Sequence, residues 1–342
     1  MRFFRVYGSF INPHFSPRKK ELLNSLYSPF SLFLAHFFLK HSAMAYEERI
    51  FITGATGNIG KPLVCKLLSS PKASVTLYVR TPVKAQELFT ATDYSSEKLR
   101  IVQGDLEDLK LFQDSITGHT RLFLLVLGHQ VGDESARILS EKAYAAGVKQ
   151  VVLISGINSS MPWRSSILTE TGVYREQSIL SISNRGTVVT LRPAYFMSNQ
   201  LSMDASTVKN ANKVIDSREP TVIKPWISPR DIGELAANVM LEPVEKHGDA
   251  VYEMIGESVT PQEHVEILTR VLGRKIVYEK ASDEEFYKLL TTKAGMSHIM
   301  AWVFLQLSQS CNQKATPGLS ILLGRAPETL EQWVEQNKAA FL

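Results

Sequence analysis

Seven consecutive residues, Gly54-Ala55-Thr56-Gly57-Asn58-Ile59-Gly60, carry the spacing that a phosphate cradle requires. Glycine at 54 permits a tight turn, glycine at 57 lets backbone come close to a pyrophosphate, and glycine at 60 lets the next helix pack closely on the strand. The helix then offers free N–H groups and a partial positive charge to the phosphates. A glycine pattern alone is weak, but here an apolar strand-like run, Arg49 to Thr53, precedes it. A helical pattern from Asn58 to Leu68 follows, with Ile59, Leu63, Leu67 and Leu68 on one face. Thr56, Asn58 and Ile59 therefore join the three glycines as expected dinucleotide contacts.

About twenty residues beyond Gly60, the run Ser74 to Arg80 ends in an arginine where an acid would bind the ribose hydroxyls of NAD. Arginine suits a 2′-phosphate instead, so NADP(H) is the expected cofactor and NAD(H) the alternative. Lys84 is near enough to assist or is simply a solvated lysine. Asp105, in Gly104-Asp105-Leu106, follows the run Leu99 to Gln103 and either accepts from the adenine amino group or caps a turn before Leu109.

Carbonyl reduction of the dehydrogenase type uses a tyrosine proton donor and a lysine four residues later. Tyr174 is the tyrosine in the expected helix, but Ser178 stands where the lysine belongs, and Arg175 is about 100° away around the helix. Tyr174 is thus either a proton donor lacking its usual partner or a packing residue. Ser155 and Asn158, beyond the fifth strand, either hydrogen-bond a substrate carbonyl or serve a loop, and His129, after the fourth, is a donor near the nicotinamide or a loop histidine. No G-x-S-x-G elbow, P-loop or paired carboxylates at useful helical spacing are present, which removes hydrolase and kinase readings. Cys65 and Cys311 stand apart and the histidines are scattered, so no metal is expected.

The elements that must position these residues alternate. Strand-like runs at Leu122–Leu127, Gln150–Ser155 and Thr187–Leu191 are separated by helical patterns at Glu134–Ala146 and Thr169–Ser183, with Gly147 ending the first of these. Six strands in this rhythm predict an α/β fold, a doubly wound parallel sheet of Rossmann type. After Pro193 the rhythm breaks. Helices at Ser228–Leu241, Pro261–Leu272, Asp283–Leu290 and near Glu328–Ala340, with a short strand at Ala250–Ile255 and an apolar run at His298–Leu307, predict a smaller, mostly helical lobe. The expected division is a leader at 1–45, a nucleotide-binding domain at 46–200, and a substrate or partner lobe at 201–342 whose late strands join the sheet.

The sequence resembles the NmrA-like branch of the atypical short-chain dehydrogenases. The segments GATGNIG at 54–60 (read from Gly54), VR at 79–80, GDL at 104–106, VVLIS at 151–155, TLRPAYFMSNQL at 190–201, WISPRDIGELAANVML at 226–241 and GRAPETLEQWV at 324–334 carry the likeness. The resemblance implies that Pro193 lies beside the nicotinamide and that Phe196 and Asn199 line the pocket. It also implies two kinds of member, NADPH-dependent reductases of quinones or conjugated carbonyls and proteins that bind the dinucleotide as a redox signal.

Net charge is +4, but residues 1–43 hold six cations against Glu21, which leaves the rest near neutral and gives no reason to expect nucleic-acid binding. The apolar stretch Phe30–Leu39 is far shorter than the roughly 20 residues of a membrane span. The leader's composition fits an upstream extension without structural consequence, a mitochondrial transit peptide or, least well, a secretory signal. A cytoplasmic protein is expected, mitochondrial if the leader is real. The expected function is hydride transfer from NADP(H) to a small quinone or conjugated carbonyl, which needs no Tyr-Lys pair because the cofactor carries the chemistry. The alternative is a non-catalytic NADP(H) sensor acting on a regulatory protein partner.

Overall fold

The computed structural model describes residues 48–89, 98–126 and 132–342; the leader and His129 lie outside these. Strand β1 (Glu48–Thr53) is buried at every position except Arg49, as a strand covered on both faces must be. Ile50 and Ile52 meet Leu63 and Leu67 on one side, while Phe51 packs against Tyr78 and Phe112 on the other at ring separations of 5.4 and 5.5 Å. Each such buried side chain contributes about 1.5–3 kcal/mol, so this one strand anchors both layers.

The glycine turn leads into α1 (Gly60–Leu68). There follow β2 (Ala73–Val79), α2 (Pro82–Phe89), β3 (Leu99–Gln103), α3 (Leu109–Ile116), β4 (Arg121–Leu124), α4 (Ser135–Ala145), β5 (Gln150–Ile154), α5 (Ile167–Leu180) and β6 (Thr187–Pro193). Beyond them come β7 (Tyr195–Phe196), α6 (Gln200–Met203), α7 (Ala205–Ala211), β8 (Lys213–Asp216), β9 (Lys224–Ile227), α8 (Pro229–Leu241), α9 (Val244–His247) and β10 (Val251–Met254). The chain ends with β11 (Glu257–Val259), α10 (Pro261–Leu272), β12 (Val277–Lys280), α11 (Asp283–Thr292), α12 (His298–Ser310), α13 (Gly318–Leu323) and α14 (Leu330–Gln336).

The main sheet runs β3-β2-β1-β4-β5-β6-β10, all parallel, with helices on both faces. This is the expected doubly wound α/β fold. Chain order reverses between β1 and β4, so the crevice where such sheets bind ligands opens at the carboxyl ends of those strands. The seventh strand, β10, comes from the C-terminal half and extends the sheet beyond the six strands of the regular rhythm.

Two short sheets were not visible in the sequence pattern: β11-β9-β7 and β12-β8. Strand β4 ends at Leu124 rather than running on to 127, because the Thr53 side chain takes over from the ladder and its Oγ1 accepts the Leu125 N–H at 2.9 Å.

Helix α8 lies directly on α1. A Cβ on Gly233 would come within 2.7 Å of both Ile59 O and Leu63 N, so only glycine permits that approach. Ser228 caps α8 with Pro229 at its first position. Asp231, fully buried on that helix, accepts from Arg325 Nη2 at 2.7 Å and from the Glu328 N–H at 2.8 Å, while Ser228 donates to the Glu328 carboxylate. The segments at 226–241 and 324–334 thereby hold each other. At the opposite end of the sheet from its ligand crevice, Arg121 pairs in the interior with Glu48 at 2.6 Å and donates to Gln150 Oε1 at 2.8 Å.

Candidate functional site

Two cavities open along the carboxyl edge of the sheet. The first, about 720 Å³, lies over the ends of β1 to β4 and is lined by Thr53, Gly54, Thr56, Arg80, Lys84, Asp105, Leu106, Val126, Asp133 and Ser135, among others. Its floor is the glycine turn. Gly54 has φ +70°, and the Gly57 N–H closes the turn on Gly54 O at 3.1 Å. A Cβ at Gly60 would stand 2.2 Å from Gly54 O and 2.6 Å from Ala55 Cα, so the third glycine serves the folding of the turn onto its own helix. Gly57 and Asn58 are exposed at the tip, whereas Ile59 and Gly60 are buried beneath it.

Ile59 occupies the N-cap of α1, no side chain caps that end, and the first turn carries no acid. An anion is the natural complement of such a terminus. Arg80 and Lys84 are both exposed on the cavity wall, two cations on the side where the sequence places the ribose. Asp105 lines the cavity and turns the chain as well: its Oδ1 accepts the Glu107 N–H at 3.1 Å, while the cap of α3 is Asp108, which accepts from Leu111 N at 2.9 Å. Burial, assisted by Asp108 and Asp105, holds the Tyr78 hydroxyl above its ordinary pKa, and it donates to Asp105 O at 2.9 Å. The residues present fit a dinucleotide: a cradle open to phosphate, cations beside it, and acceptors at the far end.

The second cavity, about 460 Å³, lies beyond β5 and β6. It collects Ser155, Asn158, Pro193, Phe196 and Asn199, five of the residues expected at the nicotinamide and substrate. Ser155 is already engaged. Its hydroxyl donates to Glu176 Oε1 at 2.5 Å and sits 3.0 Å from Ser159 Oγ, while Arg192 donates to both Glu176 oxygens at 3.0 and 2.5 Å. That pairing keeps the Glu176 charge compensated in its buried position. Ser155 therefore presents a lone pair to the cavity before it presents a proton.

Tyr174 lines neither cavity; its hydroxyl donates to the Glu134 carboxylate on the neighbouring helix. Arg175 lies beside Asp133 and Glu176, and burial lowers its pKa. His129 falls outside the described residues.

The sequence pattern did not single out the cavity's polar end. Asp216 closes β8, Lys224 opens β9 and Tyr195 begins β7, and the pairing of Tyr195 with Trp226 across β7 and β9 brings them to one place. Lys224 Nζ stands 3.3 Å from Asp216 Oδ2 and 4.0 Å from the Tyr195 ring centre. Asp216 is held below the usual carboxylate range despite its burial, by Lys224 and Arg218 above all. Phe286, Met300 and Phe304, from α11 and α12, complete the apolar wall. The apolar run at 298–307 thus divides its work, with Met300 and Phe304 on the cavity and Trp302 about half exposed.

Among the described residues no group of His, Cys, Asp or Glu has a metal-holding arrangement, and no helix is long and apolar enough to cross a membrane.

The (4-alkanoyl-5-oxo-2,5-dihydrofuran-3-yl)methyl phosphate reductase of Streptomyces griseus is 26% identical over 297 residues, covering 85% of this chain and 99% of the relative. Among solved structures, the NADPH-dependent quinone oxidoreductase of Escherichia coli, complexed with NADPH, superposes with a TM-score of 0.72 at 23% identity, covering 84% of this chain and 99% of that one. The negative transcriptional regulator NmrA, in complex with NADP, gives 0.67 at 16% identity over 87% and 98% of the two chains. Residues 46–335 match the NmrA-like family, and the chain belongs to that family.

Proposed function

We propose that this protein is an NADP(H)-dependent oxidoreductase whose substrate is a small quinone or conjugated carbonyl. The observation that carries the reading is the pair of cavities on one sheet edge, the first built for a dinucleotide and the second apolar with convergent polar groups. Gly54, Thr56 and the α1 N-terminus would hold the pyrophosphate, Arg80 and Lys84 the 2′-phosphate, and Asp105 and Leu106 the adenosine end. Ser155 and Pro193 would face the nicotinamide, and Asn158, Phe196 and Asn199 the substrate. A bound dinucleotide supplies the hydride; the chain supplies orientation and excludes water. The reductase names of the Streptomyces griseus and Escherichia coli relatives support this reading. On the proposed division, residues 46–200 would carry the nucleotide, and 201–342 would supply Asp216, Arg218, Lys224 and one apolar wall of the second cavity.

A second reading, a dinucleotide sensor without turnover, is favoured by the placement of Tyr174 away from both cavities and the spending of the Ser155 proton on Glu176. Consumption of NADPH with a panel of quinones and enals separates the two. Turnover that disappears in Gly57→Trp supports the reductase, and NADPH binding with no turnover on any acceptor leaves the sensor.

A further inference from the structure

The second cavity is apolar where Phe196, Phe286 and Phe304 face it and polar at one end, where Lys224, Arg218 and Asp216 meet. Lys224 is only 15% exposed at its side chain, and its Nζ has one carboxylate oxygen at 3.3 Å and otherwise the faces of Tyr195 and Trp226, at 4.0 and 4.8 Å from the ring centres. Asp216 does not serve Lys224 alone, because its Oδ1 also accepts the Arg218 N–H at 3.2 Å and Ser308 hydrogen-bonds the same carboxylate.

Arg218 spends Nη1 and Nη2 on main-chain carbonyls, those of Ile223, Cys311 and Leu307. Its Nε is enclosed in the protein, and the Tyr195 hydroxyl takes a hydrogen bond from the Asn199 side chain, so Lys224 is the cation left facing the cavity with a single carboxylate oxygen beside it. The charge balance leaves this end short of an anion. Two cations share the ionised Asp216, and the next carboxyl, Asp204, is fully enclosed and pushed up to about 7 by burial, so it gives only partial compensation at neutral pH.

We propose that this end of the cavity is a subsite for an anionic group, a carboxylate, phenolate or enolate, carried at the edge of a flat conjugated ligand whose body lies against the three phenylalanines. The inference rests on reading the cavity as the substrate site, and it narrows the substrate class from any quinone or enone to those bearing or developing negative charge opposite Lys224. A surplus cation in a half-enclosed site, with aromatic faces in place of water, raises the affinity for such a group well above that for a neutral isostere.

The test is calorimetric titration of the full chain with 2-naphthoate and with the neutral 2-naphthalenemethanol, repeated on Lys224→Met and Lys224→Arg. Naphthoate is expected to bind at least tenfold more tightly than the alcohol, with the ratio falling to near one in K224M and largely kept in K224R. Equal affinities in the unaltered chain, binding of neither compound, or a preference that survives in K224M would each overturn the subsite. K224R, which keeps the charge, guards against a misfolded K224M. NADPH consumption with neutral quinones is measured alongside. Turnover without a naphthoate preference removes the subsite and leaves the reductase, whereas the preference without turnover keeps the subsite and removes the reductase.

Discussion

At the scale of the residue, the interior of the C-terminal half holds two titratable groups whose pH dependences oppose each other. Burial pushes the Asp204 carboxyl up to about 7 and drives the His264 imidazole down to about 3, where its Nε2 lies 2.7 Å from Gln200 Oε1. For Asp204 the folded pKa is raised, so its contribution is fully present below pH 3.8 and is lost as pH rises towards 7. For His264 the folded chain binds fewer protons than the unfolded one between 3 and 6.5, so stability is gained as pH rises through that window. The two slopes cancel over roughly pH 4 to 6.5, about 3 kcal/mol each way for one proton. Asp204→Asn should therefore make the melting temperature rise more steeply with pH across that range than it does in the unaltered chain. Equal slopes in the two proteins would contradict the burial argument.

Tyr174 yields a second residue-scale prediction. Its hydroxyl is engaged with Glu134, so Tyr174→Phe should change turnover less than twofold, and a loss of about a hundredfold or more, the size of a general-acid contribution, would restore it as proton donor. Arg80 could be found from the sequence because βα geometry fixes its distance from the glycine turn. Lys224, Asp216 and Tyr195 could not, because strands of two to four residues, β7, β8 and β9, bring them together and carry no periodicity of their own.

At the scale of the element, the glycines set the tolerances. Gly60→Ala places a methyl group into Gly54 O and the Ala55 backbone, neither of which can swing aside, and should both destabilise the fold by about 1–3 kcal/mol and weaken nucleotide binding. Gly233→Ala meets Ile59 O and Leu63 N across the α8–α1 contact and should cost a similar amount. Urea unfolding of both variants, with NADPH titration of each, checks the pair; unchanged midpoints would mean the helices have room to shift.

The elements of the sheet were readable because parallel strands covered on both faces form continuous apolar runs, as in β2 and β5, which are almost wholly buried. Helix α5 begins at Ile167 rather than Thr169 because Ser166 supplies the cap, accepting the Thr169 N–H at 3.2 Å. The last helix begins at Leu330, where Thr329 and Gln332 form a capping box. The short sheets escaped notice because their strands pair across long sequence intervals, as Lys213 does with Val277.

At the scale of the whole molecule, the C-terminal half returns to the nucleotide-binding half twice, with β10 beside β6 and α8 on α1, and Arg325 and Glu328 hold α8 through Asp231. The second cavity draws its wall from the ends of β5 and β6 and the late helices together, and if it holds the substrate as proposed, a change at Phe286 or Phe304 should alter acceptor preference while leaving NADPH affinity within about twofold, since neither residue lines the first cavity. Steady-state kinetics over a quinone series, with nucleotide titration of the same variants, reads both.

If the first cavity takes NADP(H) with its 2′-phosphate on Arg80, as proposed, calorimetric titration of the full chain with NADPH and with NADH, repeated on Arg80→Asp, will show it. NADPH is expected to bind at least tenfold more tightly, about 1.4 kcal/mol, with the preference lost in the variant. Binding of neither nucleotide, or a preference for NADPH that survives in Arg80→Asp, would contradict it.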